Sequence, residues 1–297
     1  MTTNTIPTKV SFSKIRLVEI EVFSYCNRKC WFCPNSFIDR HSKNTLMEEN
    51  LYLGVLNELK SIDYSNMITY SRYNEPLSHK DIFIKRLKQA RELVPKALLH
   101  TNTNGDYLTR EYLDELYDAG LRSLNIQSYL NENEPFEIAN IEKKFAKTAE
   151  KLILNYKITL DSEDWYCIAF DYKDMKLNMT IRDFKANGTN RGDTLKIVSP
   201  IVRPTPCFVP FTDIYIDYNG NVMPCCNLRS DIEDHEAFIL GNIKDNGILE
   251  IFNNEKMQEL REILKFDNIQ LYPCRECNFA LLHNHKCKVE GAMPLSA

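Results

Sequence analysis

The chain has 297 residues, a length that suits one large domain with a smaller one attached. It is 43% hydrophobic and 26% charged, with a net charge of −4. It therefore reads as a soluble globular protein with no electrostatic reason for general nucleic-acid affinity. The start, MTTNTIPTKV, lacks the apolar core of a signal peptide. No stretch approaches the ~18 apolar residues of a membrane span, so neither nucleic acid nor membrane is an expected partner, and the expected location is cytoplasmic.

In chain order, residues 17–23 alternate as a strand, and 46–62 have helical spacing of their apolar residues. A strand at 66–73 is followed by a helix at 81–94, which Pro95 stops. Residues 96–105 form a strand entering a turn. A helix follows at 109–120, with Thr109 as N-cap and Gly120 past its end. Then come a strand at 121–130, a helix at 141–154, and two strand-like runs, 165–172 and 176–184, joined by a short polar turn. Strand–helix alternation implies parallel strands with helices outside them. About six strands predict an α/β fold, a partial (β/α)6 barrel whose active site lies beyond the C-terminal strand ends. From about residue 197 the pattern changes to a hairpin around Asn219-Gly220, a helix broken near Asn253-Asn254, and a cysteine-rich tail. The expected division is an extension at 1–15, the barrel at 16–195 and a small α+β domain at 196–297.

Ten cysteines in a reducing compartment are not a disulfide framework. Cys26, Cys30 and Cys33 stand together; Cys207, Cys225, Cys226, Cys274, Cys277 and Cys287 lie in the last third, and Cys167 is alone. Grouping of this kind reads as metal binding. A structural zinc site needs four protein ligands. Three thiolates instead fit a cofactor with one position left open, such as a [4Fe–4S] cubane with one iron free. The bland alternatives are zinc with its fourth ligand elsewhere, or buried cysteines that bind nothing.

The spacing Cys26-x3-Cys30-x2-Cys33, with Phe32 before the last cysteine, resembles the signature of the radical S-adenosylmethionine (SAM) superfamily. The resemblance implies that the free iron binds the amino and carboxylate groups of SAM. Reductive cleavage then gives a 5′-deoxyadenosyl radical, which takes a hydrogen atom from a substrate. YNEPL at 73–77 stands where the family usually has Gly-Gly-Glu-Pro, which would set Glu75 on the SAM amino group, with Tyr73 and Asn74 replacing the glycines. TNTNG at 101–105 resembles the family's Thr-Asn-Gly turn and makes Thr101 and Asn102 cofactor candidates. In NIQSY, Asn125, Gln127 and Ser128 are candidates for the SAM ribose or carboxylate, and Phe32 for packing near the adenine.

Four thiolates from a hairpin and a Cys-x2-Cys turn make a closed site, chemically either a zinc ribbon or a fully ligated [4Fe–4S] cluster. Cys207-x12-Gly220-x4-Cys225 followed by Cys274-x2-Cys277 resembles the SPASM/Twitch extension of radical SAM enzymes. Full SPASM domains hold two clusters. Here the cysteine after Cys277 is Cys287, with nine residues between them in place of the usual dense run. The resemblance thus implies one auxiliary [4Fe–4S] cluster on Cys207, Cys225, Cys274 and Cys277, with Cys226 as the alternative to Cys225. His283, His285 and Cys287 are either a further metal site or a surface tail.

NGTNRGD at 187–193 bridges the two parts, and its glycines allow a tight path. It resembles the Asn-Arg-Gly segment of Twitch-bearing relatives that act on aminocyclitols, which makes Arg191 a substrate-binding candidate. Asp164, Asp171, Arg182, Asp183, Tyr70 and Arg72 could also bind polar groups, or serve as solvated charges and core. The expected enzyme is a radical SAM oxidoreductase resembling 2-deoxy-scyllo-inosamine dehydrogenases. It would carry out a two-electron oxidation of a small polyhydroxylated or amino-sugar-like substrate, with an external one-electron donor such as flavodoxin or ferredoxin. Peptide maturases carry an added domain of about 80 residues before the barrel, whereas about 15 residues precede the first strand here, too few to bury a core. A small molecule is therefore favoured over a peptide. The rival reactions are radical epimerisation, for which Cys167 would be the hydrogen donor, and peptide modification. A non-catalytic zinc scaffold is the rival from another class.

Overall fold

The computed structural model describes residues 6–197, 199 and 201–279. His283, His285 and Cys287 lie outside the described residues. The chain runs β1 (Leu17–Ile20), α1 (Glu49–Ser61), β2 (Met67–Thr69), α2 (Lys80–Leu93), β3 (Leu98–Thr103), α3 (Arg110–Asp118), β4 (Ser123–Gln127) and α4 (Ile138–Leu152). Then follow β5 (Tyr156–Asp161), β6 (Trp165–Phe170), β7 (Lys176–Arg182), α5 (Phe184–Asn187) and α6 (Val209–Thr212). The last elements are β8 (Asp213–Ile216), β9 (Asn221–Met223), β10 (Gly241–Asn242), α7 (Ile248–Phe252) and α8 (Glu255–Leu264).

The helices form for the reasons the sequence implies. In α1 the buried residues are Tyr52, Val55, Leu56 and Leu59, one stripe at helical spacing. In α4 they are Ile141, Phe145, Ala149 and Leu152. Thr109 caps α3 by accepting from the Tyr112 N–H, and Gly120 follows at φ 102°, where a Cβ would be strained. These stripes and the strand residues Val18, Ile68, Leu99, Leu124 and Leu177 form one buried core.

One sheet holds ten strands in the order β10-β9-β8-β1-β2-β3-β4-β7-β6-β5. The fold is α/β, and six neighbouring strands are parallel, β8-β1-β2-β3-β4-β7. The sixth parallel strand differs from expectation. The run at 165–172 is antiparallel to the one at 176–184, because the few residues between β6 and β7 cannot make the crossover that parallel strands need. The place is taken by β8, from the C-terminal segment, which pairs with β1 from Leu17↔Asp213 to Ile20↔Ile216. β5 was not legible as a strand: it is an edge strand, exposed along nearly its whole length, so no alternation marks it.

The β8–β9 hairpin forms as predicted. Asp217 Oδ1 accepts from the N–H groups of Asn219 and Asn221 at 2.8 and 2.9 Å, and Gly220 takes φ 86°. The predicted helix break is also present. Asn254 caps α8, while Asn253 turns away to bond Val10 and Arg261. Among the described residues no helix is long and apolar enough to cross a membrane.

Candidate active site

A cavity of about 470 Å³ opens at the C-terminal ends of β1–β4 and β7. Cys26, Cys30 and Cys33 line it from the loop after β1. That loop is closed at its base by the Phe23↔Leu46 bridge, by the Thr45 N–H on Ser24 Oγ at 2.9 Å, and by the Cys26 N–H on the Arg40 carbonyl at 3.0 Å. Arg40, buried, donates to the Ser24 carbonyl and pairs with Asp231 at 2.9 Å, which fastens the loop to the segment after β9. Burial pushes the thiols of Cys26 and Cys30 up to about 11 and about 12, and the neighbouring cysteines push the same way. Three crowded thiols that resist ionisation favour a cationic metal core among them.

The far wall is polar. Glu75 is buried, and its carboxylate accepts from Thr103 Oγ1 at 2.6 Å, the Asn104 N–H at 2.8 Å and the Leu77 N–H at 3.1 Å. Of its roughly four acceptor sites one is left for a donor in the cavity. Burial raises its pKa, and these donors oppose the shift. On β3 and β4, Asn102 Oδ1 accepts from Asn125 Nδ2 and Gln127 Nε2, both at 3.1 Å, while Asn102 Nδ2 donates to Ser71. Tyr129 donates to Gln127 Oε1 at 2.8 Å. Four atoms on residues lining the cavity are buried without a partner: Arg72 Nε, Asn125 Oδ1, Trp165 Nε1 and Thr189 Oγ1. Orphans of this kind are rare in a finished interior, and here they fit a polar ligand.

Phe32, Asn102, Asn125, Gln127, Ser128, Glu75 and Arg191 are brought together with the triad around this one cavity. Phe32 stacks on Phe184, ring centres 3.7 Å apart, and tilts against Tyr129. Tyr73 lines the cavity where the family has a glycine, but its ring packs into a buried cluster against Tyr215 and Arg229, and its hydroxyl donates to the Cys226 carbonyl at 2.9 Å. Two candidates are not brought in. Thr101 is fully buried deeper along β3, on the same side as Leu99 and Thr103, and does not line the cavity. The residue that reaches Glu75 is Thr103, and Thr103-Asn104-Gly105, two positions on in the same TNTNG run, is the readable Thr-Asn-Gly turn. Cys167 is buried two residue pairs deeper in the sheet than Trp165↔Arg182, opposite Thr180, and does not line the cavity. Sequence reasoning also missed Glu19, which pairs with Arg72 at 3.4 Å.

The second cysteine set lines a small apolar nook. Cys207, Cys225, Cys274 and Cys277 meet there with Val209, Pro210, Leu228, Leu260 and Leu264. Cys225 and Cys226 face opposite ways: Cys225 lines the nook, whereas Cys226 lies by Glu19 and Arg72. Burial and the neighbouring thiols raise Cys225 and Cys274, and Cys277 is pushed to about 11. Arg203, buried, donates to the carbonyls of Thr205, Pro206, Cys277 and Phe279, so a positive charge stands beside the four thiols. Among the described residues no three His, Cys, Asp or Glu side chains converge on a single metal ion. Zinc would hold sulfurs about 3.8 Å apart, from a Zn–S bond of ~2.3 Å. The two cysteine sets adjoin: Cys33 and Cys225 both pack against the Tyr73, Tyr215, Met223 and Leu228 cluster.

Comparison with known proteins bears on both cysteine sets. Residues 20–149 match the Radical SAM superfamily profile, and residues 207–278 match SPASM, an iron–sulfur cluster-binding domain. The chain is 28% identical over 267 residues to the S-adenosyl-L-methionine-dependent 2-deoxy-scyllo-inosamine dehydrogenase of Niallia circulans, covering 88% of this chain and 92% of that one. It is 34% identical over 148 residues to the GTP 3′,8-cyclase of Nautilia profundicola, covering 48% and 41%. The crystal structure of BtrN in complex with AdoMet and 2-DOIA superposes with a TM-score of 0.63 at 24% identity, covering 89% of this chain and 93% of that chain. This last likeness is one of fold.

Proposed function

We propose that this chain, which belongs to the radical SAM superfamily and carries a SPASM iron–sulfur domain behind its barrel, oxidises a C–H(OH) group of a small polyhydroxylated ring. The relative from Niallia circulans is named for the dehydrogenation of such a compound, one bearing an amine. The observation that carries the reading is the adjacency of the two cysteine sets. A three-thiol site opens on the cavity, and a four-thiol site lies just behind the Tyr73 cluster.

Cys26, Cys30 and Cys33 would hold the [4Fe–4S] cluster that binds SAM, and Cys207, Cys225, Cys274 and Cys277 a second one. Bound there, these groups supply a hydrogen-abstracting 5′-deoxyadenosyl radical and an acceptor for one electron. The remaining work belongs to the chain. Glu75 offers its open acceptor site to the SAM ammonium. The amide wall of Asn102, Asn125 and Gln127, with Ser128, receives the SAM ribose and carboxylate, and Phe32 the adenine edge. Arg191 meets the substrate. The substrate gives up a hydrogen atom, then an electron and the hydroxyl proton, and becomes a ketone. The apolar lining of the nook keeps water from the second site. The first electron comes from an external carrier of the flavodoxin or ferredoxin kind, and the chain works in the cytoplasm.

The test is turnover in deuterium oxide with candidate cyclic polyols, 2-deoxy-scyllo-inosamine among them. Oxidation gives a product two hydrogens lighter with no solvent deuterium at the reacting carbon, and Cys167→Ala keeps turnover. One non-exchangeable deuterium in the product, lost in Cys167→Ala, would replace oxidation by epimerisation.

A further inference from the structure

Three guanidinium groups look into the same side of the cavity: Arg72 after β2, Arg182 at the end of β7, and Arg191 in the loop after α5. Arg72 has a carboxylate partner in Glu19, at 3.4 Å. Arg182 lies on ring faces, 4.4 Å from the centre of Phe184 and 5.4 Å from that of Trp165. Burial, and then the charges of Arg191 and Arg72, bring its pKa down to about 10. Among the described residues the Arg191 guanidinium reaches only Asn227 Oδ1, at the long distance of 3.5 Å, and shares the more distant field of Glu19 with Arg72. Among the described residues neither Arg182 nor Arg191 forms an ion pair.

Cations drawn into a cavity wall are ordinarily paired. Here two half-buried ones line the same cavity, and the charge of Arg191 bears on Arg182. SAM does not remove the excess: its one carboxylate arrives with an ammonium and a sulfonium, and that net positive charge only offsets the negative charge three thiolates would give the cluster beside it. Nor do the carboxylates of the site: Glu75 already accepts three hydrogen bonds and Glu19 is engaged by Arg72. The backbone at Arg191 points the same way. Its φ is 50°, left-handed, followed by Gly192 at 65° and Asp193 at 64°. Such a run is costly for non-glycine residues and persists where the surroundings impose it. Asn190 imposes it, accepted by Asn278 Oδ1 at 3.1 Å through its N–H and by the Glu276 carbonyl at 2.6 Å through its side chain. His235 Nε2 bonds the Gly192 carbonyl at 2.8 Å.

We infer that the substrate carries an anionic group, a phosphate or a carboxylate, received by Arg191 and Arg182. This rests on the small-molecule reading above and narrows it: a ring bearing only a cationic amine would meet like charge here. Guanidinium groups suit both anions, since their paired N–H donors match two oxygens at once.

The test is calorimetric titration of the anaerobically reconstituted, SAM-saturated full-length protein with myo-inositol 1-phosphate, glucuronate, myo-inositol and glucosamine. At least one anionic compound is expected to bind about tenfold or more tighter than the neutral and cationic ones, and to weaken as salt is added. Phosphate and carboxylate are distinguished by which of the two does so. In Arg191→Gln that preference should vanish with iron content and SAM binding retained, and Arg191→Lys should keep part of it. Equal binding of all four, no binding by any, tightest binding of glucosamine, or an anion preference that survives Arg191→Gln each overturns the inference. Binding is read without turnover. An anion that binds but yields no ketone counts against oxidation alone, and a ketone formed from a preferred neutral or cationic ring counts against the anionic group alone.

Discussion

The two cysteine sites use the same thiol in opposite surroundings. Cys26, Cys30 and Cys33 stand on a loop beside a large cavity of amides, arginines and one buried carboxylate. Cys207, Cys225, Cys274 and Cys277 stand under leucine, valine and proline, with Arg203 donating to the Cys277 carbonyl and to those of Thr205, Pro206 and Phe279 beside them. Three thiols beside open polar space leave a coordination position to an exchangeable ligand, whereas four under apolar cover leave none. On the proposed reading, ligand count and cover divide the labour. One site makes and breaks bonds, and the other only takes up an electron.

The largest expected effect breaks the open site alone. Cys30→Ala should drop 5′-deoxyadenosine formation to background, while iron falls from about eight to about four per chain, the complement of one four-iron cluster. Unchanged 5′-deoxyadenosine would mean that the triad is not the SAM site. The complementary change, Cys274→Ala, should also leave about four irons. It should keep 5′-deoxyadenosine formation and lower ketone formation by about tenfold or more, equivalent to about 1.4 kcal/mol or more in barrier. A parent protein with about four irons and one zinc would make the closed site a zinc ribbon instead. The smallest change probes what joins the two. Tyr73→Phe removes the hydroxyl that donates to the buried Cys226 carbonyl, at a cost of about 1–2 kcal/mol. That predicts a melting temperature lower by a few degrees with iron content unchanged. An unaltered melting temperature would show that this hydrogen bond does not hold the sites together.

Much of this was legible because the local chemistry is strict. The triad spacing, the Thr109 cap, the Asn219-Gly220 hairpin and the Asn253-Asn254 break each follow from a few neighbouring residues, and the structure shows the last three as predicted. What escaped depended on contacts far apart in the chain. The repeated TNTN made the register ambiguous, and only the approach of Glu75 across 28 residues selects Thr103 over Thr101. Nothing near Glu19 announces that Arg72 will meet it from 53 residues away. Cys167 looked available because a strand was correctly read, but depth along a strand is set by its neighbours. The antiparallel β5–β6–β7 run was recoverable: the turn between β6 and β7 is too short for a crossover, and that length was in view.

The position of β8 has a consequence for how far the two halves can be treated as separate pieces. β1 carries the triad loop at its end, and β8 is its neighbour on one side for all four residues. Without β8, β1 would become a free margin of the sheet, with a row of backbone donors and acceptors open to any passing strand. Glu21, whose carboxylate now accepts from Tyr215 and from the Tyr73 N–H, would lose one of those donors and much of its cover. The C-terminal segment is therefore not cargo bolted onto a finished barrel. It supplies the sixth parallel strand and covers an edge of β1 that would otherwise be open to self-association.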